Sequence, residues 1–153
     1  MIIGLVILAI FIVYAIVATI FTMRTKSMSE QELFTNSKFP DPIPNGDLKG
    51  NADNQGSWLG KSFDSAAGTG INRFNDDGMI TRSSKFVTYK GNSITDPEKE
   101  VLTIDYNIPE NPIFLRVILD ELVEIAPGKY LGKLQLRIIP FIPFTVQYFR
   151  LEK

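Results

Sequence analysis

Residues 119–134 read LDELVEIAPGKYLGKL: two runs rich in Val, Ile and Leu, separated by Ala126-Pro127-Gly128-Lys129. Short strand-forming runs on either side of a Pro-Gly pair predict a β-hairpin. With Pro127 and Gly128 as the loop, Ile125 faces Tyr130, Val123 faces Gly132, Glu121 faces Leu134 and Leu119 faces Leu136. That face is apolar except for Glu121, which would then point into the core. A carboxylate placed there must be paired or neutral, because burying a lone charge is costly. A trans Pro-Gly pair suits a type II turn, which two-residue hairpins disfavour. The competing register is therefore slipped by one residue and turns Glu121 to the outside.

The same grammar runs through the chain from Gly46 onward. Strands are predicted over 57–64, 70–74, 79–82, 85–89, 101–106, 114–125, 129–138 and 145–152. Turn clusters such as Asn75-Asp76-Asp77-Gly78, Lys90-Gly91-Asn92 and Pro109-Glu110-Asn111-Pro112 separate them. Two segments alternate cleanly. Leu102, Ile104 and Tyr106 share one face, opposite Thr103, Asp105 and Asn107. Tyr130, Gly132, Leu134 and Leu136 share another, opposite Lys129, Lys133, Gln135 and Arg137, with Leu131 breaking the pattern. Each reads as a half-buried strand with one wet side. Closely spaced strands with no long helix between them predict an all-β, antiparallel meander over 46–153, closed as a small barrel or barrel-like sandwich.

The one tryptophan lies in QGSWLGKSF, residues 55–63. Gly56-Ser57-Trp58 at the start of an up-and-down meander resembles the calycin (lipocalin and fatty-acid-binding) group. In that group the indole closes one end of the barrel and a basic side chain of the last strand packs across it. The resemblance implies that Trp58 and Arg150, in QYFRLEK, form that closure. GSWLGKSF, GINRF, LTIDYN and DELVEIAPGKYLGKLQLR also resemble a class of small bacterial β-domain proteins to which no activity attaches.

Residues 1–23, MIIGLVILAIFIVYAIVATIFTM, carry no charged side chain. At 1.5 Å per residue a helix of that length covers about 35 Å, enough for a hydrocarbon core of about 30 Å. A cleaved signal peptide would need a basic start and a shorter apolar run. The segment reads as a single-pass transmembrane anchor. Arg24 and Lys26 follow it, so the positive-inside rule places the downstream domain on the cytoplasmic side. Residues 24–45 form the linker. Ser27 with Glu30, or Ser29 with Glu32, offers a capping box for a short helix. Pro40, Pro42 and Pro44 then predict an extended spacer, read as a passive tether.

Absences narrow the function. The chain of 153 residues has no cysteine and no histidine, so no disulfide, thiolate, Ser-His-Asp triad or imidazole metal site can be built. Its net charge is −1, without the basic footprint of a nucleic-acid binder. DPEKE and NDDG lack the spacing of a calcium loop, and no metal or cofactor is expected. The sequence predicts a non-catalytic protein. Its leading role is binding an apolar or amphipathic small molecule, a lipid included, beside the membrane. The alternative is an assembly subunit of a membrane complex with a filled barrel. The expected ligand contacts are Glu121 with Arg73 or Arg116 as polar anchors, and Tyr130 and Leu134 as apolar wall. Residues 138–144, from Ile138 to Phe144 (IIPFIPF), hold two prolines and no charge, and predict either a buried connection or an apolar patch for a protein partner or the membrane.

Overall fold

The computed structural model describes residues 2–153. Helix α1 (Ile2–Lys26) leads into a second helix, α2 (Ser29–Asn36). Eight strands follow: β1 (Gly46–Ala52), β2 (Trp58–Asp64), β3 (Thr69–Asp76), β4 (Met79–Asn92), β5 (Glu100–Asp105), β6 (Ile118–Ala126), β7 (Lys129–Leu136) and β8 (Phe144–Glu152). Every neighbour pairs antiparallel, and β1 pairs with β8, so the sheet closes into an up-and-down barrel in chain order. Closure leaves no sheet edge unpaired.

The expected all-β barrel after an N-terminal apolar helix is therefore the observed fold. α1 is long and apolar enough to cross a membrane, and nearly all of its apolar surface is exposed. Several strand boundaries differ from expectation. β1 was not anticipated: GDLKGNA contains one large apolar residue, Leu48, which points inward and is fully buried. The two segments expected at 79–82 and 85–89 are one strand. The register against β3 shifts at Ser84, which holds a left-handed φ of 59° in a bulge. Residues 114–117 are turn, not strand, and β7 ends at Leu136.

Bulges decide what faces inward. In a regular strand Trp58 and Lys61, three apart, would lie on opposite faces. The β2–β3 register shifts between Trp58 and Gly60, with Leu59 as the extra residue, and both side chains enter the barrel. Gly60 makes this possible. Its φ is 120°, and a Cβ there would sit 2.1 Å from the Leu48 carbonyl oxygen.

The hairpin of β6 and β7 adopts the slipped register, with Glu121 opposite Lys133, Asp120 opposite Leu134 and Leu122 opposite Gly132. The inward carboxylate is thus Asp120. Glu121 faces out, yet it is not wet: it is fully buried beneath a second layer. That layer is the β4–β5 connection, whose Ser93 and Ile94 bond Glu121, together with α2, whose Phe34 packs with Val101, Val123, Leu131 and Tyr148 on the outer wall. This explains why Leu131 breaks the alternation. The outer side of β7 is covered, not solvated, and the linker is no passive tether.

The helix α2 is also held by polar contacts. Gln31 donates to Asp96 (2.8 Å) and accepts from the Tyr148 hydroxyl (2.6 Å). The Lys133 ammonium bonds Asp96 at 2.5 Å and lies 4.5 Å from the Phe34 ring centre. Lys38 bridges to Glu124 through the backbone, extending this cover along β6. The expected capping box is absent, since Met28 is the N-cap and makes no side-chain bond.

Phe34→Ala would empty the centre of this outer layer. We expect a loss of about 3–5 kcal/mol, measured by urea unfolding in detergent micelles and followed by the fluorescence of the single tryptophan.

Candidate functional site

The barrel interior is filled in one half and hollow in the other. Leu48, Phe63, Phe86, Leu102, Leu122 and Leu151 belong to the core that packs it. At the end where β2 and β6 begin, a cavity of about 220 Å3 opens between the strands. Its walls include Phe74, Leu115, Ile118, Leu134 and Phe149, and its floor is polar: Lys61, Asn72, Tyr106 and Asp120.

The floor is a nearly closed hydrogen-bond network. The Lys61 ammonium donates to Asn72 Oδ1 (2.9 Å) and to the Tyr106 hydroxyl, and pairs with Asp120 Oδ2 at 2.8 Å. Tyr106 donates to Asp120 Oδ2 (3.1 Å) and accepts from Asn72 Nδ2 (2.9 Å). Asn72 Oδ1 also accepts from the Trp58 indole N–H at 3.0 Å, and its second amide hydrogen goes to the Ser84 carbonyl. Lysine has three protons and a primary amide four bonding positions, so both residues are fully used. One position is left open: Asp120 Oδ1 is buried and has no hydrogen-bond partner.

Four aromatic rings enclose the ammonium, with Nζ lying 5.1–5.6 Å from the centres of Trp58, Phe86, Tyr106 and Phe149. Their faces supply part of the stabilisation that water would give. Burial still dominates: it lowers the Lys61 pKa below the ordinary lysine value, opposed by the charge and hydrogen bond of Asp120. Burial, reinforced by the Asp120 charge, pushes the Tyr106 phenol well up, so it stays protonated as a donor.

The expected site residues separate into two groups. Trp58 and Leu134 line the cavity. Tyr130 is inward, but it packs in the filled half. Arg73 reaches outward to Asp47 at 3.2 Å and to the Leu48 carbonyl. Arg116 binds the carbonyls of Pro109 and Asn111 and braces a loop. Glu121 lies on the far side of its strand, accepting from Ser93 Oγ, the Ile94 N–H and Gln135 Nε2.

The expected closure of Trp58 by Arg150 is not what the structure places there. Phe149 points inward, and its ring stands edge-on to the indole at 5.7 Å. Its neighbour Arg150 must then point outward, where it approaches Glu30 at 3.8 Å. The cation beside the indole is Lys61, contributed by the tryptophan's own strand.

Lys61, Asn72 and Asp120 were not singled out from the sequence. Tyr106 was placed on an inward apolar face but given no role. The spacing Trp58-x-Gly60-Lys61 was the available sign, because a glycine between them permits the bulge. Among the described residues no cluster of three or more carboxylates converges as a metal site would. Fold and site together define an eight-stranded, up-and-down antiparallel barrel with a polar-floored cavity at one mouth, carried behind an apolar helix. Comparison with protein-family models, curated proteins and solved structures finds no match.

Two outcomes test this site. Lys61→Met leaves a buried, unpaired carboxylate and should cost about 3–5 kcal/mol. Adding Asp120→Asn should recover part of that loss, so a double-mutant cycle should return a coupling of about 1 kcal/mol or more. The second concerns Glu121, whose carboxyl is raised above its ordinary 4.5 by burial, against the opposing hydrogen bonds of Ser93, Ile94 and Gln135. The folded chain then keeps a proton that the unfolded chain has lost. That stabilisation is fully present below pH 4.5 and is lost as pH rises through the folded value. Glu121→Gln should therefore gain stability relative to the parent as pH climbs from 4.5 towards neutrality, read from thermal unfolding across that range.

Proposed function

We propose that this chain is a membrane-anchored, calycin-like binding protein that holds a small apolar or amphipathic molecule, a lipid fragment included, in the barrel mouth. The observation that carries the reading is Asp120 in the floor of a mostly apolar cavity, with its Oδ1 buried and lacking a hydrogen-bond partner. Buried polar atoms in native proteins nearly always have partners. A ligand that donates a hydrogen bond, through a hydroxyl or an ammonium, supplies the missing one. Its apolar body then lies against Phe74, Leu115, Ile118 and Leu134. This combination of greasy walls and few polar anchors is the usual composition of small-molecule sites.

Two further points support binding over catalysis. The Lys61 nitrogen commits all three of its protons to Asn72, Tyr106 and Asp120 and offers no lone pair for attack. The cavity also lacks the histidine that most neutral-pH proton transfer uses. At about 220 Å3 it admits a head group and the start of a chain, not a whole membrane lipid. The anchor would be α1, and Arg24 and Lys26 would set the barrel on the cytoplasmic side.

Native mass spectrometry of the full chain, extracted in mild detergent, tests the proposal. One small-molecule adduct per chain is expected. Leu134→Trp, which fills the cavity while keeping both charges of the ion pair, should abolish it. Stoichiometric partner chains with no adduct in the parent would instead identify an assembly subunit.

A further inference from the structure

In an up-and-down barrel the connections alternate between the two ends. Here β1–β2, β3–β4, β5–β6 and β7–β8 all surround the cavity mouth. Among the described residues, seven large apolar side chains are exposed from β1 onward, and six belong to this end: Met79, Ile80, Ile113, Phe114, Ile138 and Phe141. Ile113 is 81% exposed and Phe141 78%, at the tips of two different loops. Apolar exposure gathered into one ring marks a contact surface, for a membrane or for a protein.

Helix α1 is fixed to the same ring. The Tyr14 hydroxyl donates to the Ile142 carbonyl at 2.9 Å and accepts from the Ile139 N–H at 3.4 Å. The rings of Tyr14 and Phe21 lie on Phe144, at 5.8 and 5.6 Å between centres. Tyr14 is in the middle of the apolar helix, so the barrel mouth meets α1 at mid-length. The apolar run does not stop there: it continues from Tyr14 to Met23 beside β8, where Phe21 meets Phe144, and Ile16, Val17, Ile20 and Met23 stay exposed. If α1 spans with this run in a hydrocarbon core of about 30 Å, the bilayer reaches the mouth of the barrel. Apolar groups at an interface typically enter by about 5–10 Å.

We infer that this apolar ring is a membrane-docking surface. Met79, Ile80, Ile113, Phe114, Ile138 and Phe141 enter the acyl layer of the bilayer that α1 crosses, and the cavity opens into lipid instead of water. The charges beside the ring favour a zwitterionic surface. Asp53, Asp76 and Asp77, in and beside the β1–β2 and β3–β4 connections, are acidic, while Arg137 is paired with Asp105 and Arg116 is bonded to loop carbonyls. The inference rests on α1 being a membrane span, and it gives the bound molecule its source, which is lateral entry from the leaflet.

The chain has no cysteine, so single substitutions carry one spin label each. Met79→Cys, Ile113→Cys and Phe141→Cys, in the full chain reconstituted into phosphatidylcholine vesicles, report depth through collisions with oxygen and with a water-soluble nickel chelate. Ile12→Cys reports the helix, and Ala66→Cys the opposite end of the barrel. We expect oxygen-to-nickel collision ratios several-fold higher at all three ring positions than at residue 66. Ring labels that match residue 66 while residue 12 reads as lipid-buried would overturn the docking surface alone. A residue 12 label in water would overturn the span and the docking together. Ring labels shielded from both reagents would mean a protein covers the ring, which also defeats the inference. The same depths are expected in Leu134→Trp, so loss of the ligand and loss of docking are separate outcomes.

Discussion

The structure depends on one buried ion pair. Lys61 and Asp120 meet at 2.8 Å inside a closed barrel, each nearly inaccessible to solvent. Bringing two such charges out of water costs several kcal/mol per ion after relaxation, and the geometry must be close to complete to offset it. The surroundings meet that demand: three acceptors for the ammonium, a phenol donor for the carboxylate and four aromatic faces around the nitrogen. The pair also separates the packed half of the barrel from the hollow half. Apolar side chains fill the space on one side of it, and on the other Asp120, whose Oδ1 is buried without a hydrogen-bond partner, lies in the cavity floor.

Asp120 and Glu121 show how one strand serves two polar clusters. Being adjacent, they point to opposite faces. Asp120 completes the interior network. Glu121 completes an exterior one, under the loop that carries Ser93 and Ile94, beside Gln135 and its partner Thr145. A slip of one residue would exchange them, placing Glu121 opposite Lys61 without its three donors. Register here is fixed by hydrogen-bonding need as much as by apolar patterning. The exterior cluster continues through Thr95, Asp96 and Lys133 to Gln31, so α2 is bound by the same polar contacts that hold the wall of the barrel.

Much of the fold was legible because the pattern has a period. Leu102, Ile104 and Tyr106 alternate as a strand should, and they do face inward. The apolar run of α1 and the turn clusters were equally plain. What could not be read were departures from the period. The bulge at Leu59 puts Trp58 and Lys61 on one face, although their spacing alone assigns them to two. The bulge at Ser84 joins segments that a polar interruption separated in the sequence. β1 holds too few apolar residues to signal a strand; its partners on both sides supply the reason for it. The site was missed for a related reason. Lys61 and Asp120 lie 59 positions apart and form a pair only once the barrel closes. Sequence reasoning chose the neighbouring carboxylate because an unbroken ladder was assumed beyond the Pro127-Gly128 turn; the turn is there, with Ala126 opposite Lys129, but Ile125 is an extra residue and the ladder shifts register between Glu124 and Ala126.

Helix α1 and the cavity are geometrically linked through β8. One face of that strand carries Phe149 and Leu151 into the core, and Gln147 reaches the cavity. Its first residue, Phe144, receives Tyr14 and Phe21 of α1. A barrel on a loose linker would turn its mouth in every direction relative to α1. Here Tyr14 grips the β7–β8 loop at one end of the helix contact, and α2, which follows α1 after two residues, is held by Phe34 against the outer face of β5 to β8 and by Gln31 to Asp96 of the β4–β5 connection and Tyr148 of β8. Two attachments on different strands fix both tilt and rotation of the barrel about α1. Whatever plane α1 crosses, the mouth is therefore held at one height and one angle to it.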